Sequence, residues 1–301
     1  MKSVNMSFDH FGGPEVLGIA EEQLPPPGNG EVQVGIRAVG INPVDWKLVA
    51  GYLEPFFPLQ LPAIPGCEAA GTVTAVGSGV PDFRVGDDVI WNGIVGGYRS
   101  AANFPAGQLT VKPAGLDFEQ AACLAIAGGA AYSAVVQLAI STGDTVLVHG
   151  AAGGVGSAFV QLARNHGARV IGTASELNHD YLRGLGAEPV VYGEGLTERV
   201  SSLGSISAVV DTVGGEETAA ATAALLGGRG TAVTTVPGKQ SNAAGIAPVR
   251  LLDGRVAEAA RLAAEGRLRF SIQERLPPTE AARALVASRS GHVRGKIVLI
   301  P

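Results

Sequence analysis

Up to about Pro113 the apolar positions come in short alternating runs. Val32-Gln33-Val34-Gly35-Ile36 and Gly71-Thr72-Val73-Thr74-Ala75-Val76 are two of them. A period of two puts every second side chain on one face, which predicts strands. Proline and glycine cluster between the runs, at Pro25-Pro26-Pro27-Gly28 and from Pro62 to Gly66. That punctuation predicts a loop-rich β domain. Beyond Pro113 the rhythm changes. Apolar strands at Thr145 to His149, Ala168 to Gly172, Ala208 to Asp211 and Gly230 to Thr234 alternate with helical stretches such as Val155 to His166 and Glu216 to Leu226. Strands alternating with helices predict βαβ units and a parallel sheet. After Leu251 come a charged helical stretch, Arg269 to Ile272, a further helix and a strand from Lys296 to Ile300. These ends are expected to return to the first domain. The expected division is 1–112 with 253–301, and 113–252.

Composition narrows the picture. With 46% hydrophobic and 16% charged residues, the 301-residue chain can bury a large core. A net charge of −5 and no basic run give no bulk attraction to nucleic acid or an anionic membrane. Two cysteines, Cys67 and Cys123, form no CxxC pattern, so a reduced cytoplasmic protein without a secretory signal is expected. Ala121 to Thr142 is uncharged and nearly long enough to span a bilayer. Its paired glycines, Gln137 and alanine richness predict a buried helix instead.

The strongest local motif is Val146-Leu147-Val148-His149-Gly150-Ala151-Ala152-Gly153-Gly154-Val155-Gly156. It reads as a strand, a glycine turn and a helix start. Such a turn lets backbone approach a pyrophosphate, and the helix start offers free N–H groups to it. Ala151, Gly153, Gly154, Val155 and Gly156 are therefore candidate dinucleotide contacts, in a Rossmann-type doubly wound α/β domain. The next strand ends Thr173-Ala174-Ser175 without the acid that usually holds an NAD ribose. Ser175 first, then Thr173, are expected to meet the extra phosphate of NADPH, and Tyr192 is within reach of the same group. Glu176 is expected to begin a helix, where an acid suits the dipole.

Gly143-Asp144-Thr145-Val146-Leu147, the glycine turn, Gln161 and Arg164 together resemble the signature of the quinone oxidoreductase/zeta-crystallin family of medium-chain dehydrogenases/reductases. Pro65 to Val73, Val85 to Val89, Ile41 to Lys47, Asp211 to Gly215 and Gly291 to Lys296 are similar to other family segments, so the resemblance spans nearly the whole chain. It implies a GroES-like β-rich catalytic domain beside the Rossmann domain, and a homodimer. It also implies that Asn42 and Lys47 lie near the nicotinamide and its ribose, Val213 and Gly214 near the ring, Val236 on a neighbouring loop, and Arg294 over the cofactor. Two positions depart from the family. Asn178 stands where many relatives have a phosphate-binding lysine, and Ala130 stands where a threonine often precedes Ala131-Tyr132.

Zinc relatives need cysteine and histidine ligands, but Asn42 and Cys67 occupy the matching positions here, and two cysteines cannot make a four-cysteine lobe. No metal is expected. Without a Lewis acid, acceptors that need little activation are favoured: quinones and other α,β-unsaturated carbonyls. Tyr52, followed by Pro55-Phe56-Phe57-Pro58, is the candidate hydrogen-bond donor to the substrate oxygen, with Trp91 and Tyr98 as weaker pocket candidates. The alternatives are a reductase of 2-alkenals, enones or enoyl thioesters, and an NADPH-binding protein without turnover.

Overall fold

The alternating runs form strands in the computed structural model, which describes residues 1–301. β1 (Lys2–Ser7) and β2 (Gly18–Gln23) make an antiparallel pair. In β3 (Glu31–Gly40), Val32, Val34 and Ile36 are buried. The short helix α1 (Pro43–Val49) follows, and then β4 (Glu68–Val76), which runs antiparallel to β3. β5 (Asp88–Asn92) pairs with β4, β6 (Ala101–Pro105) with β3, and β7 (Leu109–Val111) with β5. Side chains from these strands meet in one core, where Trp91 stacks on Phe104 at 4.3 Å between ring centroids. Each aliphatic side chain fully buried there contributes about 2 kcal/mol. α2 (Phe118–Ala121) ends this stretch.

The chain continues through α3 (Gly129–Gln137) into the alternating region. There β8 (Thr145–His149), α4 (Gly154–Asn165), β9 (Arg169–Ala174), α5 (His179–Gly184), β10 (Glu188–Val191), α6 (Leu196–Ser201) and β11 (Ala208–Asp211) follow in turn. α7 (Glu216–Leu226), β12 (Thr231–Thr234), α8 (Lys239–Ala243), β13 (Ala247–Pro248) and α9 (Arg255–Ala264) complete it. The six strands are parallel, in the order β10-β9-β8-β11-β12-β13. Val146, Leu147 and Val148 of β8 are all buried, as a parallel sheet covered on both faces requires. The order reverses between β8 and β11, and the carboxyl ends of the strands at such a reversal are where this kind of sheet takes ligands.

Finally β14 (Ile272–Leu276), α10 (Ala281–Ser290) and β15 (Lys296–Leu299) rejoin the first sheet, with β15 antiparallel to β3. Two compact units result: residues 1–126 with 271–301, and residues 127–270. The sequence-based edges at 112/113 and 252/253 fall short of these. Phe118 to Ile126 stays with the first unit, where Glu68 accepts the Ile126 N–H at 2.8 Å. α9 packs on α3 in the second.

The single helix expected from Ala121 to Thr142 is not formed. α2 stops at Ala121, a π-helical turn covers Leu124–Gly128, and α3 restarts at Gly129. No helix is long and apolar enough to cross a membrane.

Candidate active site

The glycine turn sits at the carboxyl end of β8. Gly150 is left-handed, with φ +72°. Its N–H donates to Thr173 Oγ1 at 3.1 Å, and the Ala151 N–H donates to the Thr173 carbonyl at 3.0 Å. Thr173 is buried, which corrects the expectation that its hydroxyl meets a phosphate: it shapes the turn from below. Gly153 is the N-cap of α4 and no side chain caps that end. Gly153, Gly154 and Val155 are partly exposed, so the first-turn amides are open to a ligand. A Cβ on Gly153 would meet nothing closer than the Gly150 carbonyl at 3.5 Å. The cradle has room and open donors for a pyrophosphate, and the residues fit the group.

Register places the other candidates along the same strand ends. Val191 lies opposite Ala174, so Ser175 and Tyr192 follow side by side. Ser175 Oγ accepts from Asn178 Nδ2 at 3.2 Å, and Tyr192 is half exposed. Asp211 lies opposite both His149 and Thr234. Its Oδ1 accepts the N–H groups of Val213 and Gly214 at 3.0 and 2.9 Å, and its Oδ2 accepts the hydroxyls of Thr218 and Thr234 at 3.3 and 3.2 Å. Gly214, with φ +77°, turns against Val236, whose Cγ1 would be 2.8 Å from an added Cβ. Val213, Gly214 and Val236 are thus brought together.

In the first unit Asn42 caps α1 and is 3% exposed. Its Nδ2 donates to Glu68 Oε1 at 2.8 Å and to the Gly40 carbonyl at 3.2 Å, while its Oδ1 accepts from Lys296 Nζ at 2.7 Å. This corrects Asn42 as a group touching nicotinamide or substrate: its amide is committed within the protein, at the N-cap of α1. Lys47 lies on α1 with its ammonium 5.7 Å from the Trp46 ring centre. Tyr52 is 62% exposed and makes a T-shaped ring contact with Trp46. Arg294 is exposed, and its backbone N–H donates to Gln273 Oε1 at 2.7 Å. Trp91 and Tyr98 are buried, so neither lines an open pocket.

Tyr98 instead donates its hydroxyl to Asp45 Oδ2 at 2.9 Å, which also accepts the Asn42 N–H at 2.8 Å. Burial pushes the Asp45 carboxyl up from 3.8 to about 6, against the lowering effect of those hydrogen bonds and of Lys296. The folded state therefore holds this proton more tightly than the unfolded chain. That contribution to stability is complete below about pH 4 and is lost as pH rises through about 6. Asp45→Asn, which keeps the acceptor, is expected to gain stability relative to the parent by on the order of 2–3 kcal/mol between pH 4 and 7. Urea unfolding of both proteins across that range checks it, and a constant difference contradicts it.

Burial, with the Asp45 and Glu68 charges, pushes the Cys67 thiol well up, and its Sγ contacts the Ile94 carbonyl at 3.0 Å. Glu68, Lys296, Asp45 and Asp211 were not singled out from sequence. For Glu68, Lys296 and Asp211 the available signal was a charged residue at the end of an apolar strand, because such residues are buried only when paired.

The family comparisons agree with this layout. An alcohol dehydrogenase GroES-like domain matches residues 28–140, and a zinc-binding dehydrogenase domain matches residues 185–299. A chloroplast envelope quinone oxidoreductase homolog of Arabidopsis thaliana is 30% identical, over 98% of each chain. The chain belongs to the quinone oxidoreductase family. Among solved structures, the quinone oxidoreductase from Coxiella burnetii superposes with a TM-score of 0.89 at 28% identity, covering 100% of both chains. A mycobacterial protein solved in complex with NADPH gives 0.85 at 29% identity, covering 99% of this chain and 100% of that one. As a quinone oxidoreductase family member the chain is an oxidoreductase that uses a nicotinamide cofactor.

Proposed function

We propose that this protein transfers a hydride from NADPH to a quinone or another α,β-unsaturated carbonyl compound without zinc. The carrying observation is the uncapped amino end of α4 beside the Ser175–Asn178 hydrogen bond just past β9, where the one nearby acid, Glu176, opens the following helical turn rather than ending the strand. The open amides of Gly154 and Val155 hold the pyrophosphate, Gly156 lets α4 pack closely under the turn, and Ser175, Asn178 and Tyr192 take the 2′-phosphate. The complex of NADPH with a mycobacterial relative supports that cofactor. Ser175→Asp places a like charge at the phosphate and an acceptor at the ribose. It is expected to lower kcat/KM for NADPH relative to NADH by at least about tenfold, or about 1.4 kcal/mol. Parallel assays with the two cofactors read this out, and an unchanged ratio removes Ser175 from the phosphate site.

When bound, the nicotinamide supplies the hydride at C4. Asp211 holds the Val213–Gly214 turn against Val236, giving the ring a fixed apolar edge. The family resemblance assigns Lys47 and Arg294 to cofactor binding. Orientation and exclusion of water are the protein's main contributions. The two-electron balance is NADPH, a proton and a quinone giving NADP⁺ and a hydroquinone. The Tyr52 hydroxyl donates to the acceptor oxygen as charge builds there. Tyr52→Phe is expected to lower kcat by roughly a hundredfold with little change in KM. An unchanged turnover number rules Tyr52 out.

The zinc-free reading rests on the donors present. Asn42 is spent on Glu68 and Lys296, both Glu68 oxygens are occupied, and the Cys67 thiol resists ionisation. Metal ligation requires a deprotonated thiol. A homodimer is proposed on the family resemblance, and sedimentation of the purified protein tests it. A cytoplasmic setting is supported by two free, buried cysteines.

A further inference from the structure

Glu68 and Lys296 open strands β4 and β15, and both are buried. Lys296 Nζ donates to Glu68 Oε1 at 2.9 Å, to Asn42 Oδ1 at 2.7 Å and to the Ile41 carbonyl at 2.7 Å. All three ammonium hydrogens are used. Glu68 Oε1 also accepts from Asn42 Nδ2, and Oε2 accepts the Ile126 N–H at 2.8 Å. The carboxylate fits because position 40 is glycine. A Cβ there would lie 2.5 Å from Glu68 Oε1 and 2.1 Å from the Ala122 carbonyl.

A buried ion pair is a poor device for stability, because a well-packed apolar pair often does as well. What distinguishes this pair is the set of segments it joins. Asn42 is the N-cap of α1, Lys296 begins β15, and Ile126 lies in the π-helical turn Leu124–Gly128. π-Turns inside helical segments are frequent at functional sites. α1 has seven residues, too few to hold its own geometry in water, so its start depends on what fixes Asn42.

We propose that the Glu68–Lys296 pair is a positioning node for hydride transfer: through Asn42 it sets the start of α1, which carries Lys47 and leads to Tyr52, and through Ile126 it sets the π-helical turn. The proposal rests on the hydride-transfer reading above. Neither residue touches the reacting atoms. Losing the ammonium leaves Asn42 Oδ1 without a donor and frees the amide to rotate, which moves the N-cap.

The test compares the parent with Lys296→Met, Glu68→Gln and the doubly substituted chain. The double variant carries no unpaired charge, and its glutamine still accepts from Ile126. It is expected to melt near the parent temperature and to bind NADPH within about threefold of the parent, while kcat with 1,4-benzoquinone falls by roughly thirty- to a hundredfold. The primary deuterium isotope effect from NADPH labelled at C4 should rise as the hydride step becomes limiting. Amides of Asp45 to Ala50 should exchange faster, with Gly153 to Ser157 unchanged. Recovery of kcat together with melting temperature in the double variant overturns the proposal, because the pair is then only structural. If the double variant does not fold, Glu68→Gln alone decides by the same isotope effect and exchange readouts. If the parent itself oxidises NADPH with no conjugated acceptor, the hydride-transfer reading fails. Amide exchange then judges the node: faster exchange in α1 supports it, and unchanged exchange overturns it.

Discussion

Gly156→Ala is expected to weaken NADPH binding by on the order of a hundredfold and to cost about 1–3 kcal/mol of stability. A Cβ at this position would stand 2.2 Å from the Gly150 carbonyl oxygen and 2.8 Å from Ala151 Cα. Both are backbone atoms of the turn that forms the cradle, so no flexible side chain can give way. Either α4 lifts from β8 or the turn opens, and both movements take the first-turn amides away from the phosphate. Gly153→Ala is the informative contrast. Its backbone is extended, and an added Cβ would meet the Gly150 carbonyl only at 3.5 Å. The fold should lose under about 1 kcal/mol, the cost of a poorer N-cap, while the methyl narrows the approach to the open amides. Fluorescence titration with NADPH, alongside thermal unfolding, separates the two cases. Equal effects of the two substitutions on binding and on stability contradict this description of the cradle.

Asp211→Ala should be comparably severe, and for a different reason. The carboxylate is buried and receives four hydrogen bonds, two from the Val213 and Gly214 amides and two from the Thr218 and Thr234 hydroxyls. A buried donor left unpaired costs about 1–3 kcal/mol, and less where, as at the Val213 and Gly214 amides, it is only part-buried. Hydroxyls rotate and find other acceptors, whereas the two amides are fixed by the turn. A loss of about 3–4 kcal/mol is therefore expected. Turnover should fall along with stability, because the Val213–Gly214 turn is left without its anchor. Asp211→Asn retains an oxygen for the two amides and offers an NH₂ to the hydroxyl oxygens. It is expected to lose less than half as much. Chemical denaturation of the two variants checks the order, and a reversal of that order contradicts the account.

The nucleotide cradle was legible in sequence because its determinants are local. Gly150, Gly153 and Gly156 lie within two turns of chain, flanked by an apolar strand and an amphipathic helix. The parallel sheet was legible for the same reason, from the run of strands and helices. The Asn42 network was not, because its partners are distant: 26 residues separate Asn42 from Glu68 and 254 separate it from Lys296. The same long-range contact explains why Ala121 to Thr142 read as one helix. Composition favoured continuity, but Glu68 captures the Ile126 amide, and the ladder is interrupted there. Thr173 and Tyr98 were recognised as polar side chains near the expected site. Their burial depended on tertiary packing that periodicity does not encode. Tyr52 is the opposite case: an aromatic residue in a loop that remains largely exposed.

The most direct test of zinc-free hydride transfer is NADPH oxidation, followed by nicotinamide absorbance. The acceptors are 1,4-benzoquinone, 9,10-phenanthrenequinone, 2-hexenal and an enoyl thioester, with NADH and EDTA controls. The account predicts turnover of at least one conjugated acceptor, faster with NADPH than with NADH and unchanged by EDTA. It is contradicted if NADPH binds and no acceptor is reduced, or if EDTA abolishes turnover and added zinc restores it.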